Sequence, residues 1–341
     1  MPYNIPPVLI HSLFALLVSL LLAFEGLAQA EEVPAELLGD WSITMESGEP
    51  SWMRVYEDSG ETMIRMRVYV GPEGPYQIDE VSDGKIRFAL KPLRKAKGSN
   101  EYIAQTVQVG LKDELVEGVL VRTPNDGSEG ERIKFTGKRI PPMPKEAPDL
   151  SRVRFGEPIS LFNGKDLSGW TPYETDKIMG WRVEDGLLVN ETPKTDFSAT
   201  GDHANLRTEA EFEDFWLHIE FLIEADRNSG VYLRGMYEAQ VVDRDSRMQG
   251  LQGVGSIFGR IAPSINAGRP PGEWQTYDIT LVDRHVTVIL NGEKVIENQP
   301  VPGPTGGAIN TDPMSPGPLY LQGDHTAVKY RDIYLAPVIR D

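Results

Sequence analysis

The chain has 341 residues, a formal net charge of −17 at neutral pH and no cysteine. The lack of cysteine excludes disulfides and zinc–thiolate sites. The acidic balance argues against nucleic acid and anionic membranes, because both are bound through clusters of Lys and Arg. A neutral carbohydrate is compatible with this charge.

The first thirty residues have the pattern of a secretion signal. The apolar run at residues 13–24 is followed by Ala28-Gln29-Ala30, a small-x-small cleavage site. A membrane anchor is the alternative, but a spanning helix needs about twenty apolar residues and this run is shorter. We therefore expect residues 1–30 to be removed and the mature protein to be secreted or periplasmic, without a membrane segment.

Residues 31–140 predict a small all-β domain. Short β-like runs alternate with turn signals such as Ser59-Gly60 and Asn125-Asp126-Gly127, which is typical of a meander or a small barrel. Gly39 and Trp41 have the Gly-x-Trp spacing of a lipocalin-type first strand. We find no chemistry in this domain, whose role the sequence leaves open. A proline-rich stretch then predicts an extended linker at residues 141–156.

Residues 157–341 predict a second all-β domain. Strand-like runs follow one another, and no segment shows a sustained 3.6-residue apolar period. Asn291-Gly292 after the run at residues 286–290 predicts a hairpin turn. The spacing of the strands favours an antiparallel β-sandwich.

Polar side chains alternate with apolar ones on several of these strands. Since one face of a strand is buried, the polar set predicts an open, solvated sheet face that holds a polar ligand. Carboxylate, guanidinium and amide groups beside aromatic rings favour a sugar over an ordinary wet face. The outward residues include His218, Glu220, Tyr232, Arg234, Glu238, Gln240, Tyr320 and Gln322.

The register of one hairpin matters for this face. A three-residue loop at Gly235-Met236-Tyr237 places Arg234 opposite Glu238, whereas a two-residue loop without a bulge turns one side chain to the wrong face. We therefore expect the longer loop or a bulge, with Tyr232 opposite Gln240.

A set of motifs in the second domain also resembles a known family, the 3-keto-disaccharide hydrolases. The resemblance covers roughly residues 157–340 and implies a concanavalin A-like sandwich (jelly roll), bacterial origin and export. It implies activity on glycosides oxidised to a ketone at C3. The motifs are LFNGKDLSGW (161–170), LRTEAEFEDFWLHIEFLI (206–223), NSGVYLRG (228–235), YEAQVVD (237–243), GEWQTYDI (272–279), LNG (290–292) and LYLQGDHTAVKYRDI (319–333).

The implied chemistry needs three groups. A ketone at C3 acidifies the C2 hydrogen, so a base removes it, the C1 substituent leaves by β-elimination, and water adds to the product. Glu238 or Glu220 is the candidate base, Arg234 the candidate enolate stabiliser, and Asp324 with His325 the candidate proton donor. The candidate substrate-binding residues are His218, Asn228, Tyr232, Gln240, Trp274 and Gln322.

Cofactor and partner expectations follow from the same residues. No ligand spacing demands a metal, although Asp324, His325, Glu238 and Glu220 have suitable donor atoms for a divalent cation. We expect a small carbohydrate or glycoside as substrate and a glycoside 3-dehydrogenase acting upstream.

Two other functions fit the sequence. A non-catalytic carbohydrate-binding module would show the same polar face. Endo-glycosidases on a concanavalin-like sandwich resemble one another in carrying Glu-x-Asp-x-Glu, or a form one residue longer, on a single strand. Here Glu224-Ala225-Asp226 begins such a run, but Asn228 and Ser229 occupy the two positions where the second Glu would stand.

Overall fold

The computed structural model describes residues 31–68, 73–94, 100–193 and 202–340. The predicted secretion signal, residues 1–30, lies outside these ranges. Strands dominate both halves of the described chain, and three short 3₁₀ helices, Ala35–Leu37, Leu150–Arg152 and Gly250–Gln252, interrupt them. No helix in these ranges is both long and apolar enough to cross a membrane.

The first half forms one nine-stranded antiparallel meander, in the order β4-β3-β2-β1-β9-β8-β7-β6-β5. The two edge strands, β4 and β5, are only two residues apart in the chain, so the sheet must curl until its edges meet. The ring of Tyr76 on β4 accordingly stacks against Phe88 on β6, with 6.4 Å between centroids. Alternate side chains fill the interior, as in β6, where Ile86, Phe88 and Leu90 are buried. The strands are β1 (Gly39–Met45), β2 (Pro50–Asp58), β3 (Glu61–Val68), β4 (Tyr76–Gln77), β5 (Glu80–Ser82), β6 (Lys85–Arg94), β7 (Tyr102–Lys112), β8 (Leu115–Pro124) and β9 (Glu131–Ile140).

The second half is a sandwich of two antiparallel sheets. Seven strands of the larger sheet run in the order β12-β13-β22-β15-β18-β19-β20, and β10 also pairs with β22; the smaller sheet has the order β11-β14-β21-β16-β17. One apolar core fills the space between them. The all-β prediction, with a sandwich after a barrel-like meander, is confirmed. The strands are β10 (Ile159–Ser160), β11 (Trp170–Pro172), β12 (Trp181–Glu184), β13 (Leu187–Asn190), β14 (Leu206–Phe212), β15 (Phe215–Leu222), β16 (Asn228–Leu233), β17 (Tyr237–Val242), β18 (Trp274–Val282), β19 (His285–Leu290), β20 (Glu293–Pro300), β21 (Gly317–Leu321) and β22 (Val328–Pro337).

The hairpin between β16 and β17 has a three-residue loop, but not the predicted one. Arg234, Gly235 and Met236 form it, and Tyr232 pairs with Glu238 instead of Gln240. Arg234 and Gly235 adopt positive φ angles of 56° and 62°, which closes the turn one residue earlier than predicted and shifts each pairing partner by two positions. Because the shift preserves the two-residue alternation, the polar side chains keep the face that the sequence predicted.

Strand β17 is the edge of the smaller sheet, and a long insertion covers it. Within residues 244–269, the Ser256 carbonyl accepts from the backbone N–H of Gln240 at 3.0 Å. The backbone N–H of Phe258 donates to the Glu238 carbonyl at 2.9 Å. The insertion therefore satisfies backbone groups that an edge strand would otherwise leave unpaired.

Candidate active site

The structure divides the predicted site residues between two opposite faces of the sandwich. On β15, Phe215 and Leu217 point into the core, so His218 and Glu220 point away from the larger sheet. Glu238 points away from the smaller sheet on the other side of the core. The prediction of one shared surface is therefore wrong for His218 and Glu220.

The residues on the outer face of the larger sheet bond to neighbouring side chains on that same face. Arg331 donates to Glu220 at 2.6 Å and lies over the ring of Trp274 at 4.0 Å. His218 Nδ1 lies 2.8 Å from an Asp278 carboxylate oxygen. Trp274 thus belongs with Glu220 and not with the site on the other face. The alternation along β15 indicated correctly which residues point outward, but it carried no information about which sheet the strand joins.

On the smaller sheet a single row of side chains crosses all five strands. Cα pairing aligns Thr171 with Arg207, Arg207 with Tyr320, Tyr320 with Tyr232, and Tyr232 with Glu238. Residues directly opposite each other in a ladder project to the same face. We call these five residues the polar row.

Glu238 is the buried acid at one end of the polar row, with 3% of its surface exposed. Burial raises the pKa of its carboxyl group to about 8; Asp324 adds to this, while a hydrogen bond with Tyr232 and the charge of Arg67 oppose it. Gly230 makes room for the carboxylate, because a Cβ atom at that position would overlap Glu238 Oε1.

Three tyrosines lead from the surface toward Glu238. Tyr173 is 39% exposed, Tyr320 is 4% exposed and Tyr232 is 1% exposed. Their rings meet edge to face, with centroids 5.9 Å and 4.9 Å apart. Rings in this arrangement can cover the C–H faces of a sugar.

Amide groups lie beside the polar row. The Gln240 amide nitrogen donates to Asn228 Oδ1 at 2.8 Å. The Oε1 atoms of Gln240 and Gln322 are buried, and no donor reaches either of them among the described residues. A buried acceptor without a donor costs about 1–3 kcal/mol, so a ligand that brings hydroxyl groups would relieve this cost.

Asp324 and His325 stand on a tightly held turn after β21. The Asp324 carboxylate lies 2.5 Å from His325 Nδ1. Asn190 donates to the carbonyls of Gly323 and Thr326 at 2.9 and 3.0 Å, and Asn205 accepts from the Gly323 amide at 2.7 Å. The Thr326 hydroxyl accepts from the backbone N–H of Asn228 at 2.9 Å and donates to the Asn228 carbonyl at 2.8 Å.

The expectation of an open, solvated face is wrong. Asn228, Tyr232, Glu238 and Gln240 are all buried. Residues 302–307 lie over this part of the sheet. Thr305 Oγ1 accepts from the backbone N–H of Glu238 at 3.0 Å, and the Gly306 carbonyl accepts from the Tyr232 hydroxyl at 2.8 Å. The cover comes from the long connection between β20 and β21, whose path the strand pattern did not reveal.

Arg234 does not take part in this arrangement. Its guanidinium donates to the carbonyls of Pro313 and Ser315, at the turn end of the hairpin. It is buried there near Asp214, so the predicted role as enolate stabiliser is not supported. Sequence reasoning placed Arg234 by alternation, which fails where the strand ends and the turn begins.

The described residues contain no group of three or more His, Asp or Glu side chains that could hold a metal ion. Of the four donors named from the sequence, Glu220 lies on the opposite face of the sandwich. The acid–base groups that the structure brings together are Glu238, Tyr232, Asp324 and His325.

Sequence reasoning missed three residues near this site: Arg207, Tyr173 and Arg67. It turned Tyr320 outward but did not include it among the candidate site residues. Arg207 lies inside one of the motifs quoted for the family resemblance, and alternation along β14 would have placed it with Tyr232. Tyr173 follows a three-residue strand, and Arg67 comes from the other domain. No local signal indicated either of them.

Comparisons with known proteins agree with the resemblance. Residues 157–336 match the family model described as the 3-keto-alpha-glucoside-1,2-lyase-like domain. A protein named 3-keto-disaccharide hydrolase from Bacteroides thetaiotaomicron is 25% identical over an alignment of 166 residues, and the match covers 41% of this chain. The match spans 57% of the length of that relative.

Solved structures give weaker likenesses. A crystal structure from Parabacteroides distasonis, provisionally described as a glycosyl hydrolase, is 24% identical, with a TM-score of 0.44 over 53% of this chain and 94% of that one. Porphyranase B from Zobellia galactanivorans is 9% identical, with a TM-score of 0.35 over 59% of this chain and all of the other. Both TM-scores are low, so the architecture described above rests on the strand pairing of this chain itself.

The matched region contains both sheets of the sandwich, including all five members of the polar row and the turn that carries Asp324 and His325. It excludes the nine-stranded domain. The family model also accounts for more than half of the chain, as residues 157–336 out of 341. The chain therefore belongs to the family of proteins with a 3-keto-alpha-glucoside-1,2-lyase-like domain.

Proposed function

We propose that this protein is a carbohydrate-active enzyme that cleaves glycosides carrying a ketone at C3. The observation that carries the proposal is the buried acid Glu238, which lies beside Tyr232 and within electrostatic reach of the Asp324–His325 pair. Membership of the family supports the same chemistry.

In the first step Glu238 acts as the base. It takes the C2 hydrogen, the electron pair of that bond moves toward the C3 carbonyl, and an enolate forms. Its raised pKa makes Glu238 a stronger base than an ordinary carboxylate, although only about one molecule in ten is ionised at pH 7. Activity should therefore increase with pH up to about 8.

In the second step the enolate collapses, and the bond from C1 to the leaving oxygen breaks. His325 donates a proton to that oxygen through Nε2, because Asp324 holds Nδ1. Water then adds across the new double bond, its hydroxyl going to C1 and a proton to C2. The sum of the steps is hydrolysis.

Substrate binding falls to the amides and rings of the same face. Asn228, Gln240 and Gln322 would bind sugar hydroxyls, and Tyr232 and Tyr320 would pack against the ring.

The cysteine-free acidic chain suits a neutral sugar and an exported protein, so secretion with removal of residues 1–30 and an upstream glycoside 3-dehydrogenase belong to the same proposal. The dehydrogenase would supply the ketone.

Conventional glycoside hydrolysis is the second candidate, because Glu238 and Asp324 are two carboxyl groups on one face. The comparison of a 3-keto-glucoside with its unoxidised parent separates the two. We expect release of the C1 substituent from the 3-keto-glucoside only. Equal release from the parent would favour the conventional mechanism, and tight binding without release would favour a binding module.

Two variants test the assignment of the base. Glu238→Gln removes the proton acceptor and should lower kcat by roughly 10²–10⁴-fold. Glu220→Gln is the matched control, since it makes the same change on the opposite face and should leave kcat unchanged. Equal losses in both variants would refute the assignment.

A further inference from the structure

The N-terminal domain lies outside the family match, yet its residues reach the segment that covers the site. Arg54 on β2 donates to the Pro302 carbonyl at 3.0 Å and forms two 2.7 Å bonds with Asp40. Trp52 on the same strand packs against Gly303, where an added Cβ would lie 3.0 Å from its ring. One side of residues 302–307 thus rests on the first domain.

A buried charge cluster lies at the same boundary. Glu73 pairs with Arg67 at 2.6 Å and with Arg260 of the second domain at 2.7 Å. Arg260 also donates to the Pro304 carbonyl at 2.5 and 3.1 Å. The pKa of Glu73 is lowered, because the two cations outweigh the opposing effect of burial. The carboxylate therefore keeps both guanidinium groups in place.

Arg67 is the member of this cluster that faces the site. A Cβ atom on Gly306 would lie 2.9 Å from Arg67 Nη1, and the Gly306 carbonyl accepts from the Tyr232 hydroxyl. The side chain of Arg67 is 12% exposed, and its Nε is buried without a hydrogen-bond partner among the described residues. Its positive charge acts on Glu238.

We propose that the N-terminal domain completes the candidate active site, with Arg67 as a positioning residue for the Tyr232–Glu238 pair. This inference rests on the proposed function of Glu238 as the base. Arg67 supplies a positive charge that favours the ionised carboxylate, and the domain holds residues 302–307 against the sheet. The acid–base groups thus come from the sandwich and their electrostatic environment from both domains.

The test uses the full chain and needs no substrate. The carboxyl stretching band of Glu238 is isolated by infrared difference against Glu238→Gln and titrated with pH. In Arg67→Gln we expect the midpoint to move to higher pH by about one pH unit, because an opposite charge near a buried carboxyl has been removed. Arg67→Met is the second neutral variant, should the first fail to fold. Arg67→Lys keeps the charge and should restore the midpoint.

Arg65→Gln is the matched control. Arg65 also pairs with Glu73, at 3.2 Å, but it is 41% exposed and its charge is not among those acting on Glu238. We expect no change in the midpoint for this variant. An unchanged midpoint in both neutral Arg67 variants, or an equal shift in Arg65→Gln, would overturn the proposal.

Kinetics separate this proposal from the proposed function. With a 3-keto-glucoside, the rising limb of kcat/KM against pH should shift in Arg67→Gln as the infrared midpoint does. If the wild-type protein releases nothing from the sugar while the midpoint still shifts, the proposed function fails and the coupling between the domains stands.

Discussion

At the scale of single residues, the site is defined by an acid kept away from water. Glu238 has neighbours that oppose one another: Asp324 disfavours its charge, while Tyr232 and Arg67 favour it. Burial outweighs the two favourable contacts, and the result is a carboxyl group that titrates near neutral pH. Such groups concentrate at sites of proton transfer.

The burial of Glu238 should make the free energy of unfolding depend on pH. The folded pKa of about 8 lies above the ordinary value of 4.5, so the folded protein holds a proton that the unfolded chain releases. The contribution of Glu238 to the free energy of unfolding is therefore largest below about pH 4.5 and is lost as pH rises through 8. We expect the loss to be several kcal/mol.

Urea denaturation at pH 5 and pH 8.5 measures this loss. Glu238→Gln should remove much of the difference between the two pH values, because the amide does not titrate. Glu220→Gln is the control, since Glu220 is only partly buried and paired with Arg331. The same pH dependence in wild type and Glu238→Gln would show that Glu238 is not the responsible group.

The alternation of apolar and polar side chains along each strand was enough to predict part of the site. Tyr232, Glu238 and Gln240 share a face as the sequence predicted, because a period of two survives a register error of two residues. His218 and Glu220 obeyed the same alternation but belong to the other sheet, and strand order is a property of the whole fold. The charge from Arg67 could not be predicted, because it depends on how two domains pack.

At the scale of elements, the turn at residues 323–326 determines where His325 stands. Asn190 on β13 bonds to two carbonyls of this turn, and Thr192 donates to the Gly323 carbonyl at 2.5 Å. The turn therefore joins the end of the smaller sheet to a strand of the larger one. Sequence reasoning identified Asp324-His325 but not the side chains that hold it.

Replacement of Asn190 by Ala tests the hydrogen bonds between β13 and this turn. We expect a loss of about 1–3 kcal/mol in the free energy of unfolding, since two buried carbonyls lose a donor. We also expect a lower kcat with little change in KM, because His325 becomes less well oriented. Asn298→Ala is a matched control: it removes an amide that donates to the Pro148 carbonyl from β20, which lies at the other end of the larger sheet from β13. Equal effects on kcat would contradict the role of the turn.

At the scale of the whole molecule, a charged interface joins the two domains around residues 302–307. The side chain of Arg260 is only 4% exposed and binds Glu73 across the boundary. A buried ion pair of this kind costs much to break, since the remaining partner stays buried. The two halves should therefore unfold together.

Arg260→Met should uncouple the unfolding of the two domains. We expect a stability loss of roughly 3 kcal/mol, since a buried pair loses one partner. In scanning calorimetry we expect two transitions in place of one. Arg244→Met is the control, because Arg244 lies in the same insertion but bonds to Gly268 within its own domain. A single, unshifted transition in Arg260→Met would contradict the coupling.

The most direct test of the central claim follows the hydrogen at C2. Wild-type protein, Glu238→Gln and Glu220→Gln are each incubated in D₂O with a 3-keto-glucoside, and the released sugar is analysed by NMR against a sample without protein. The account predicts deuterium at C2 of the product from wild type and Glu220→Gln, and almost no product from Glu238→Gln. Product that keeps its C2 hydrogen, or undiminished turnover by Glu238→Gln, would contradict it.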